Sequence, residues 1–442
     1  MVRSWRDAAS FTLFVLFFAS ILAFLDRQML NILVEPIKAE LGLDDIRFSL
    51  LQGLAFSVVY CLSAFPVAIL ADRYSRKHVI LASLLIWNVM TLLFGLSTGF
   101  GMMLIARMGL ALGEAGLTPA AISIIRQVYP PERQSMAVSW IALSLYLGGG
   151  LSMAIAGPAL DALSGAGALP FGLTPWRVLF ICSFAVGIVG LLLVSTMREP
   201  ARPVTVGGRG APDSAFRDLL NHVARRWPLV VCYLAAGIAL NGIVYAVMSW
   251  APAMLMRNFG WTTYRTGLSF GAVYMLAGGA GSLLGGRLVP RLRSSETTGS
   301  VVRLMRLACL LAGGSIVLAT MSPDGHVALA FLFLAMLGVG ALVGVNVFGF
   351  QALFPAAFSA RAVAINFLVA GTLGSSLGPS GVAMIKALLG GGDLTTGPAL
   401  GWFAALAALW GVIWLSLFLA VLKSRDRAAA SPLHPMRPAQ AR

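Results

Sequence analysis

Residues 58–91 read VVYCLSAFPVAILADRYSRKHVILASLLIWNVMT, two long apolar runs that are joined by a short charged loop at residues 72–77. A helix that crosses the hydrocarbon core of a bilayer needs about 20 apolar residues, and each run extends far enough to supply them. The loop is too short to form a domain of its own. This stretch therefore predicts two neighbouring membrane helices that are connected on one side of the membrane.

The same pattern recurs along the whole chain. Of its 442 residues, 58% are hydrophobic and 11% are charged, and the mean hydropathy is +0.86. A soluble domain carries about 25% charged residues. The apolar windows predict an all-α membrane protein with twelve transmembrane helices. Their predicted bounds are 10–35, 47–71, 77–98, 101–127, 133–160, 176–197, 227–256, 264–289, 302–321, 326–354, 360–389 and 397–422.

The basic residues are distributed unevenly between the two sides of these spans. With alternating loops, 24 of the 32 Lys and Arg residues lie on the side of the termini, six lie on the other side, and Arg27 and Arg107 lie within spans. Loops that carry the excess of Lys and Arg are cytoplasmic. We therefore expect a multi-pass protein of the cell inner (plasma) membrane with both termini in the cytoplasm. The net charge of +15 then reflects topology and contact with anionic lipids, and not nucleic-acid binding.

Signals for enzymatic chemistry are weak. Gly267-Leu-Ser269-Phe-Gly271 fits the nucleophile-elbow pattern, but no strand precedes it, and the histidines fall in loops, near span ends or in the tail, where none can serve as its base. The chain has no Gly-x-x-x-x-Gly-Lys-Ser/Thr motif for nucleotide phosphates. The four cysteines are single and far apart. We expect neither an enzyme nor a bound metal or cofactor, and an ion gradient must supply the energy for any transport.

A change of composition divides the chain near its middle. Residues 198–226 are rich in Pro, Gly and Arg and predict a cytoplasmic linker that ends in a short amphipathic helix. The linker separates two six-helix bundles, 1–197 and 227–423, and 424–442 form a cytoplasmic tail. Similar sequences end the fourth span of each half, so the bundles are expected to be pseudo-symmetric. Repeated halves are typical of transporters, with the substrate site between them.

Four charged residues lie inside predicted spans, namely Asp26, Arg27, Arg107 and Glu114. Ionisable groups in a bilayer are costly and mark substrate or ion pathways. Arg107 and Glu114 are seven residues apart, so they share one helix face at a separation of about 10 Å. Arginine can bind a phosphate or carboxylate in a bidentate manner. We predict that Arg27 and Arg107 bind an anionic substrate and that Glu114, or else Asp26, carries a coupling proton. The alternative is that the four charges only neutralise one another.

The second half is expected to hold no charge inside its spans. Its polar candidates for the substrate site are Asn241, Tyr245, Asn346 and Asn366. A cavity with one charged wall and one neutral wall would suit an amphiphile, whereas ordinary helix packing is the alternative. Residues 241–252 of the seventh span have the composition of a broken helix that could line such a site.

The loop Leu70-Ala-Asp72-Arg73-Tyr-Ser-Arg76-Lys77 resembles the signature between the second and third spans of the major facilitator superfamily. It departs from the family pattern at Ala68 and Ser75, where glycine is usual. The resemblance implies the major facilitator fold. It also implies that Asp72 is a latch of the cytoplasmic gate, which would engage helix ends and arginines, for which the candidates are Arg73, Arg76 and Arg133.

A narrower resemblance is carried by residues 24–28 (FLDRQ), 34–38 (VEPIK) and 107–116 (RMGLALGEAG). Together these look like the Spinster-like branch of the superfamily. That branch implies proton-coupled secondary transport of an anionic amphiphile, such as a lysolipid or a sphingoid phosphate. Bacterial carriers of sugar acids share parts of these motifs, so a proton-coupled symporter of a small organic anion is one alternative. A transport-inactive receptor or scaffold is another. The expected partners are the substrate, protons and membrane lipids, and the expected state is a monomer.

The predicted topology can be tested by labelling single cysteines at Ser214 and Ser322, which lie before the seventh span and after the ninth. The basic-residue bias predicts that a membrane-impermeant thiol reagent reaches Ser322→Cys from outside the cell. It should reach Ser214→Cys only after the membrane is opened. Labelling of both positions from the same side would contradict the arrangement of twelve spans.

Overall fold

The computed structural model describes residues 2–167, 169–199, 212–291, 297–355 and 358–430, and these residues are predominantly α-helical. The helices in chain order are α1 (Val2–Ile32), α2 (Val34–Leu41), α3 (Asp45–Gln52), α4 (Leu54–Arg73), α5 (Arg76–Gly95), α6 (Phe100–Glu114), α7 (Leu117–Val128), α8 (Pro131–Gly165), α9 (Pro175–Thr196), α10 (Pro212–Phe259), α11 (Thr263–Arg291), α12 (Thr297–Thr320), α13 (Gly325–Gln351), α14 (Ser359–Asn366), α15 (Thr372–Leu388) and α16 (Thr396–Ala430).

Within the described ranges, twelve helical stretches are long and apolar enough to cross a membrane, which confirms the predicted number of spans. Their ends agree with the prediction to within a few residues except at the seventh span, which begins at Asp218. Of the predicted linker, residues 200–211 lie outside the described part of the chain, as do residues 431–442 of the predicted tail. The division into two domains at the linker stays a prediction.

The seventh span differs from the sequence-based expectation in two ways. The predicted amphipathic helix and the span form one helix, α10, which bends at Arg226 (φ −117°, ψ 15°). Pro228 accounts for the bend, because its ring removes one N–H and displaces the carbonyl of the preceding turn. The broken helix predicted at 241–252 is wrong, since α10 continues through Pro252 to Phe259. Asn241 instead donates to the Gly237 carbonyl of its own helix at 2.9 Å.

Three other spans are interrupted. The second span is divided at Gly53 (φ −116°, ψ −82°), where α3 ends and α4 begins. The fourth span is divided between Glu114, the last residue of α6, and Leu117, the first of α7. The eleventh span contains a π-helical segment, Phe367–Gly371, between α14 and α15. Such interruptions are frequent at functional sites in membrane proteins because they free backbone groups for ligands or side chains.

The helix pairs that pack together in the first half also pack together in the second. The first span contacts the fifth (α1 with α8), and the seventh contacts the eleventh (α10 with α15). The third span contacts the fourth and sixth (α5 with α6 and α9), and the ninth contacts the tenth and twelfth (α12 with α13 and α16). This repetition is the pseudo-symmetry that the sequence predicts for two six-helix bundles.

The two halves approach most closely where α8 crosses α11. A Cβ atom on Gly150 would lie 2.7 Å from the Gly271 carbonyl oxygen, and one on Gly271 would lie 2.7 Å from the Gly150 carbonyl oxygen. Gly157 and Gly267 are in similar contact, with 3.0 Å between such a Cβ and the facing Cα. Small residues allow this approach between membrane helices. The halves therefore meet through glycine backbones and through side chains packed beside them, such as Tyr146 of α8 and Tyr274 of α11, whose ring centroids are 5.8 Å apart.

A large side chain at this crossing should separate the helices. We expect Gly150→Leu to lower the thermal unfolding temperature of the purified protein, because overpacking a close contact costs about 1–3 kcal/mol. The matched control is Gly314→Leu in α12, where a Cβ atom would meet nothing within 4 Å. Equal thermal unfolding temperatures for the two variants would show that the α8–α11 contact is not as tight as described.

Candidate functional site

A buried ion pair lies at the centre of the first half. Arg27 of α1 donates a hydrogen bond to Glu114, which ends α6, and the two side chains are 15% and 4% exposed. Gly113 allows α6 to lie close to α5, because a Cβ atom at this position would lie only 2.6 Å from the Trp87 backbone nitrogen. Charges in a low-dielectric interior persist only when they are paired. The pair therefore joins the first and fourth spans.

Arg107 binds backbone groups in this conformation. Its Nε donates to the Leu51 carbonyl at 3.0 Å, and its Nη2 donates to the Arg27 carbonyl at 3.3 Å. Leu51 lies in the last turn of α3, where carbonyl groups lack an intrahelical partner. The Phe56 ring contacts both guanidinium groups, with centroid distances of 4.0 Å to Arg27 and 5.1 Å to Arg107. This ring keeps the two cations in fixed positions by cation–π contact.

Asp26 lies on the other side of α1 from the ion pair. It accepts hydrogen bonds from Trp87 Nε1 at 2.5 Å, from Thr91 Oγ1 at 3.2 Å and from Ser183. These donors come from α5 and α9, so Asp26 joins the first, third and sixth spans. The structure thus separates the two carboxylates that the sequence analysis considered for proton coupling. Asp26 already has three donors, whereas Glu114 does not.

Two polar atoms of the ion pair have no hydrogen-bond partner among the described residues. These are Arg27 Nε and Glu114 Oε1, which are both buried. Buried polar atoms nearly always have a partner, so each exception calls for an explanation. Arg27 Nε is a donor that could bind an anionic ligand, and Glu114 Oε1 is an acceptor that could bind a proton. We name Arg27, Glu114, Arg107 and Phe56 the central cluster.

Of the polar candidates of the second half, Asn241 and Tyr245 belong to α10, and Asn346 of α13 and Asn366 of α14 lie beside it. Tyr245 is close enough to Arg27 and Tyr60 to interact electrostatically with both. Asn366 Oδ1 would lie 3.7 Å from a Cβ atom on Gly237, the residue whose carbonyl binds Asn241. One turn closer to the start of α10, the Tyr233 hydroxyl donates to the Asn346 backbone carbonyl at 2.8 Å.

The amide oxygens of Asn346 and Asn366 also lack partners. Both asparagines lie nearer the start of α10 than Tyr245 does, as their contacts with Tyr233 and Gly237 show. Tyr245 is therefore the second-half candidate that lies beside the central cluster.

The predicted gate residues have different environments. Arg76 is buried, and its guanidinium donates to Glu199 Oε1 (3.2 Å), to Ser123 Oγ (3.2 Å) and to Gln127 Oε1 (2.5 Å). Arg73 and Arg133 are exposed, and the side chain of Asp72 lies outside the described residues. The sequence analysis did not identify Glu199, because it stands at the start of the Pro-rich linker. Its signal was the position directly after the last apolar residues of the sixth span.

Six charged residues form a second network on the side of the bundle opposite the termini. Arg257 Nε and Nη1 contact Glu35 (2.6 Å) and Asp45 (3.0 Å), and Lys386 also binds Asp45. Glu35 and Asp45 belong to the first half, whereas Arg257 and Lys386 belong to the second. We name this group the Asp45 network, and its members are Glu35, Lys38, Asp45, Arg257, Lys386 and Asp393.

The network corrects the expectation of a second half without internal charge, because Arg257 and Lys386 lie in α10 and α15 with side chains only 4% and 3% exposed. From the sequence, both residues were expected among the basic residues at the membrane surface opposite the termini, Arg257 just after the seventh span and Lys386 near the end of the eleventh.

Twelve spans in two pseudo-symmetric halves, with an ion pair buried at the centre, define a secondary transporter of the alternating-access type. A sequence model of the Major Facilitator Superfamily matches residues 16–379. The chain belongs to the Major Facilitator Superfamily. This is a family of transporters, which confirms the expectation that the chain is not an enzyme.

Sequence comparison also finds similar transport proteins in bacteria. The chain is 30% identical over 390 residues to an MFS-type efflux pump of Mycolicibacterium smegmatis, a match that covers 87% of this chain and 85% of that protein. It is 24% identical over 313 residues to a probable L-galactonate transporter of Escherichia coli, covering 68% and 65%.

The fold matches the crystal structure of a bacterial homolog of the human lysosomal transporter Spinster, in an inward-facing and unoccupied conformation. The TM-score is 0.79 at 22% identity, and the match covers 96% of this chain and 99% of that one. The predicted major facilitator fold is thereby confirmed. The resemblance to the Spinster-like branch is confirmed by sequence, since the chain is 26% identical over 301 residues to human protein spinster homolog 1, covering 64% of this chain and 54% of that protein.

The contacts of Glu199 predict a dependence of stability on pH. Burial disfavours its charged form, but hydrogen bonds from Ser75, from the Arg76 backbone and side chain, and from the Lys77 backbone hold the pKa of Glu199 below its usual value. A carboxyl whose pKa is lower in the folded state stabilises the protein above its unfolded pKa, and this contribution is lost as the pH falls through the folded value. We expect Glu199→Gln to cost about 1 kcal/mol at pH 7, after allowance for solvent screening.

Thermal unfolding of the detergent-purified protein between pH 7 and pH 4 measures this effect. The stability difference between wild type and Glu199→Gln should be largest at pH 7 and should shrink toward pH 4. Glu132→Gln, at an exposed carboxylate on the same side, is the control. A constant difference across this range would contradict the assignment.

Proposed function

We propose that this protein is a proton-coupled secondary transporter of an anionic amphiphile, such as a lysolipid or a sphingoid phosphate. The observation that carries the proposal is the Arg27–Glu114 ion pair, in which Arg27 Nε and Glu114 Oε1 are buried without partners. A guanidinium fork suits phosphate and carboxylate groups. A buried carboxylate beside it is a suitable carrier of a proton.

The pair links the two ligands through one charge. When Glu114 binds a proton, its attraction for Arg27 is lost and the guanidinium becomes available to an anion. When an anion binds Arg27, it takes the place of the Glu114 carboxylate, and protonation of the displaced carboxyl avoids an unpaired buried charge. Reciprocity requires that each ligand strengthen the binding of the other by the same factor. Movement of proton and anion in the same direction follows most directly from this linkage.

The surroundings of Arg27 support an amphiphile. Its guanidinium carbon lies 4.0 Å from the Phe56 ring centroid, 5.4 Å from that of Phe24 and 5.5 Å from that of Tyr60. A neutral second-half residue, Tyr245, is near the same group. An anionic head at Arg27 would therefore have aromatic and uncharged neighbours, which suit an apolar chain attached to the head.

A small organic anion, such as a sugar acid, is the second candidate substrate. It is supported by the similarity to the probable L-galactonate transporter of Escherichia coli. A polyhydroxylated acid would need hydrogen-bond partners in addition to Arg27. Among the described residues, Asn346 and Asn366 each have an amide oxygen without a partner, but their contacts lie nearer the start of α10 than Tyr245, away from the central cluster.

Alternating access would proceed by rocking of the two halves about the α8–α11 crossing. If both termini lie in the cytoplasm, the Asp45 network lies on the outer side of the inner membrane. The conformation described is then closed toward the outside. Arg76, together with Asp72, Arg73 and Arg133, would belong to the opposite, cytoplasmic gate. We propose that the transporter acts as a monomer within the lipid of the inner membrane.

The proton-coupling role of Glu114 is tested in proteoliposomes with and without an imposed pH gradient. The probes are a fluorescent lysophosphatidic acid and radiolabelled galactonate. Glu114→Gln mimics the protonated carboxyl, so it should still bind the transported probe but lose gradient-driven accumulation and pH dependence. Asp161→Asn, at an exposed carboxylate in α8, should behave as wild type.

Arg27→Ala is expected to abolish binding of the same probe, because it removes the only fork that the ion pair offers. If Glu114→Gln still accumulates the probe with a normal pH dependence, the coupling role passes to Asp26. If neither probe is transported by the wild type, both substrate proposals are wrong.

A further inference from the structure

Helix α3 lies between the Asp45 network and the central cluster. Its first residue, Asp45, is a member of the network, and its last turn contains Leu51, which binds Arg107. The six residue steps between them span about 9 Å at 1.5 Å per residue. A rigid helical segment of this length can transmit a displacement from one charged group to the other.

At its first residue, α3 is bound to both halves of the protein. Asp45 accepts hydrogen bonds from Lys38 of α2 and Lys386 of α15, and from Arg257 of α10 at 3.0 and 3.1 Å. Because the Arg257 and Lys386 side chains are almost fully buried, loss of the carboxylate would leave two buried cations short of a partner. Such a loss is strongly unfavourable. Asp45 therefore holds the halves together on this side.

At its last turn, α3 is bound to the central cluster and again to the second half. The Leu51 carbonyl accepts from Arg107 Nε, and Arg107 also holds the Arg27 carbonyl. The Gln52 amide nitrogen donates to Asn31 Oδ1 at 3.0 Å and to the Ser249 carbonyl of α10 at 3.3 Å. The position of α3 thus determines whether Arg107 Nε has a partner, while Nη2 binds the Arg27 carbonyl of α1.

Gly53 separates α3 from the rest of its span. Its backbone is not helical (φ −116°, ψ −82°), so α3 is not forced to move with α4. A Cβ atom on Gly53 would lie 2.7 Å from the Ser375 carbonyl oxygen of α15. The α3 helix packs against α15 of the second half as well as against α4 and α6 of its own half. It can therefore shift relative to α4 when the halves move.

We propose that α3 couples closure of the side opposite the termini to the hydrogen bonding of the central cluster. Arg107 is a positioning residue, because its Nε is bound only while the Leu51 carbonyl lies beside it. While Asp45 is paired, the Leu51 carbonyl occupies Arg107 Nε. When the Asp45 network separates, α3 turns about Gly53, Leu51 leaves Arg107, and the guanidinium becomes available beside Arg27. The coupling rests on the proposed function, since it regulates the same site, but it is measured without transport.

The test is the distance between spin labels on the two halves, at Ala39→Cys and Leu394→Cys, in a background without the native cysteines. Both positions are exposed on the side of the Asp45 network. The purified protein without substrate should show mainly the short distance. Asp45→Asn should raise the ratio of the long-distance to the short-distance population roughly 5- to 150-fold, the usual range of coupling between sites. Arg107→Lys, which changes the contact of α6 with the last turn of α3, should raise the same ratio.

The matched control is Asp44→Asn, which removes the same charge one residue earlier. Asp44 is exposed and caps α3 by accepting from the Arg47 backbone N–H at 2.7 Å, and asparagine caps as well as aspartate does. This variant should keep the wild-type distribution. The double variant Asp45→Asn/Arg107→Lys should open no further than the more open single variant, because coupled residues are non-additive.

Two outcomes would overturn the coupling. One is a wild-type distance distribution in Arg107→Lys, and the other is independent, multiplying effects in the double variant. If Arg107→Lys does not yield folded protein, Asn31→Leu tests the same end of α3, because it removes a first-half partner of Gln52 and touches no charge. Loss of proton-driven transport with intact distance coupling would instead count against the proposed function alone.

Discussion

The Arg27–Glu114 ion pair is the constraint on which the arrangement of the first half depends. Two charges in a low-dielectric bundle must be paired and held, and the surrounding helices do this by specific local features. The interruption of the fourth span directly after Glu114 ends α6 at this carboxylate. The interruption of the second span provides a free carbonyl for Arg107, and Phe56 lies against both guanidinium groups. These contacts keep a small charged site in one geometry, while two of its buried polar atoms have no hydrogen-bond partner among the described residues.

The contacts between the halves divide into two physical kinds. Along α8 and α11, glycine backbones touch, and the side chains of Tyr146, Tyr274 and Met275 pack against facing glycines. On the side opposite the termini, ion pairs join Glu35 and Asp45 to Arg257 and Lys386. A close-packed crossing beside a polar closure favours two discrete states, because packed interfaces change between discrete arrangements and do not deform continuously.

The sequence predicts the spans well because membrane helices need a fixed length of apolar residues, a local property. It also locates the four charges of the first half, since such groups are too costly in lipid to occur without a role. It does not predict that Glu114 pairs with Arg27, because helical spacing gives the direction of a side chain but not the neighbour that lies there. The Asp45 network joins residues from 35 to 393, and no local pattern connects them. Glu199 was hidden by the composition of the adjoining linker.

The composition of the Asp45 network has an electrical consequence. Its three acids, Glu35, Asp45 and Asp393, balance its three bases, Lys38, Arg257 and Lys386. A transmembrane voltage acts on net charge displaced across the field, at about 2.3 kcal/mol per charge per 100 mV. When the halves separate, the first-half members keep a net charge of −1 and the second-half members a net charge of +1. Both groups stay near one membrane surface, so they cross little of the field and add little to that work. Any voltage sensitivity of the transport cycle should therefore originate at the central pair, from the difference between the charge of the bound anion and the number of protons that accompany it.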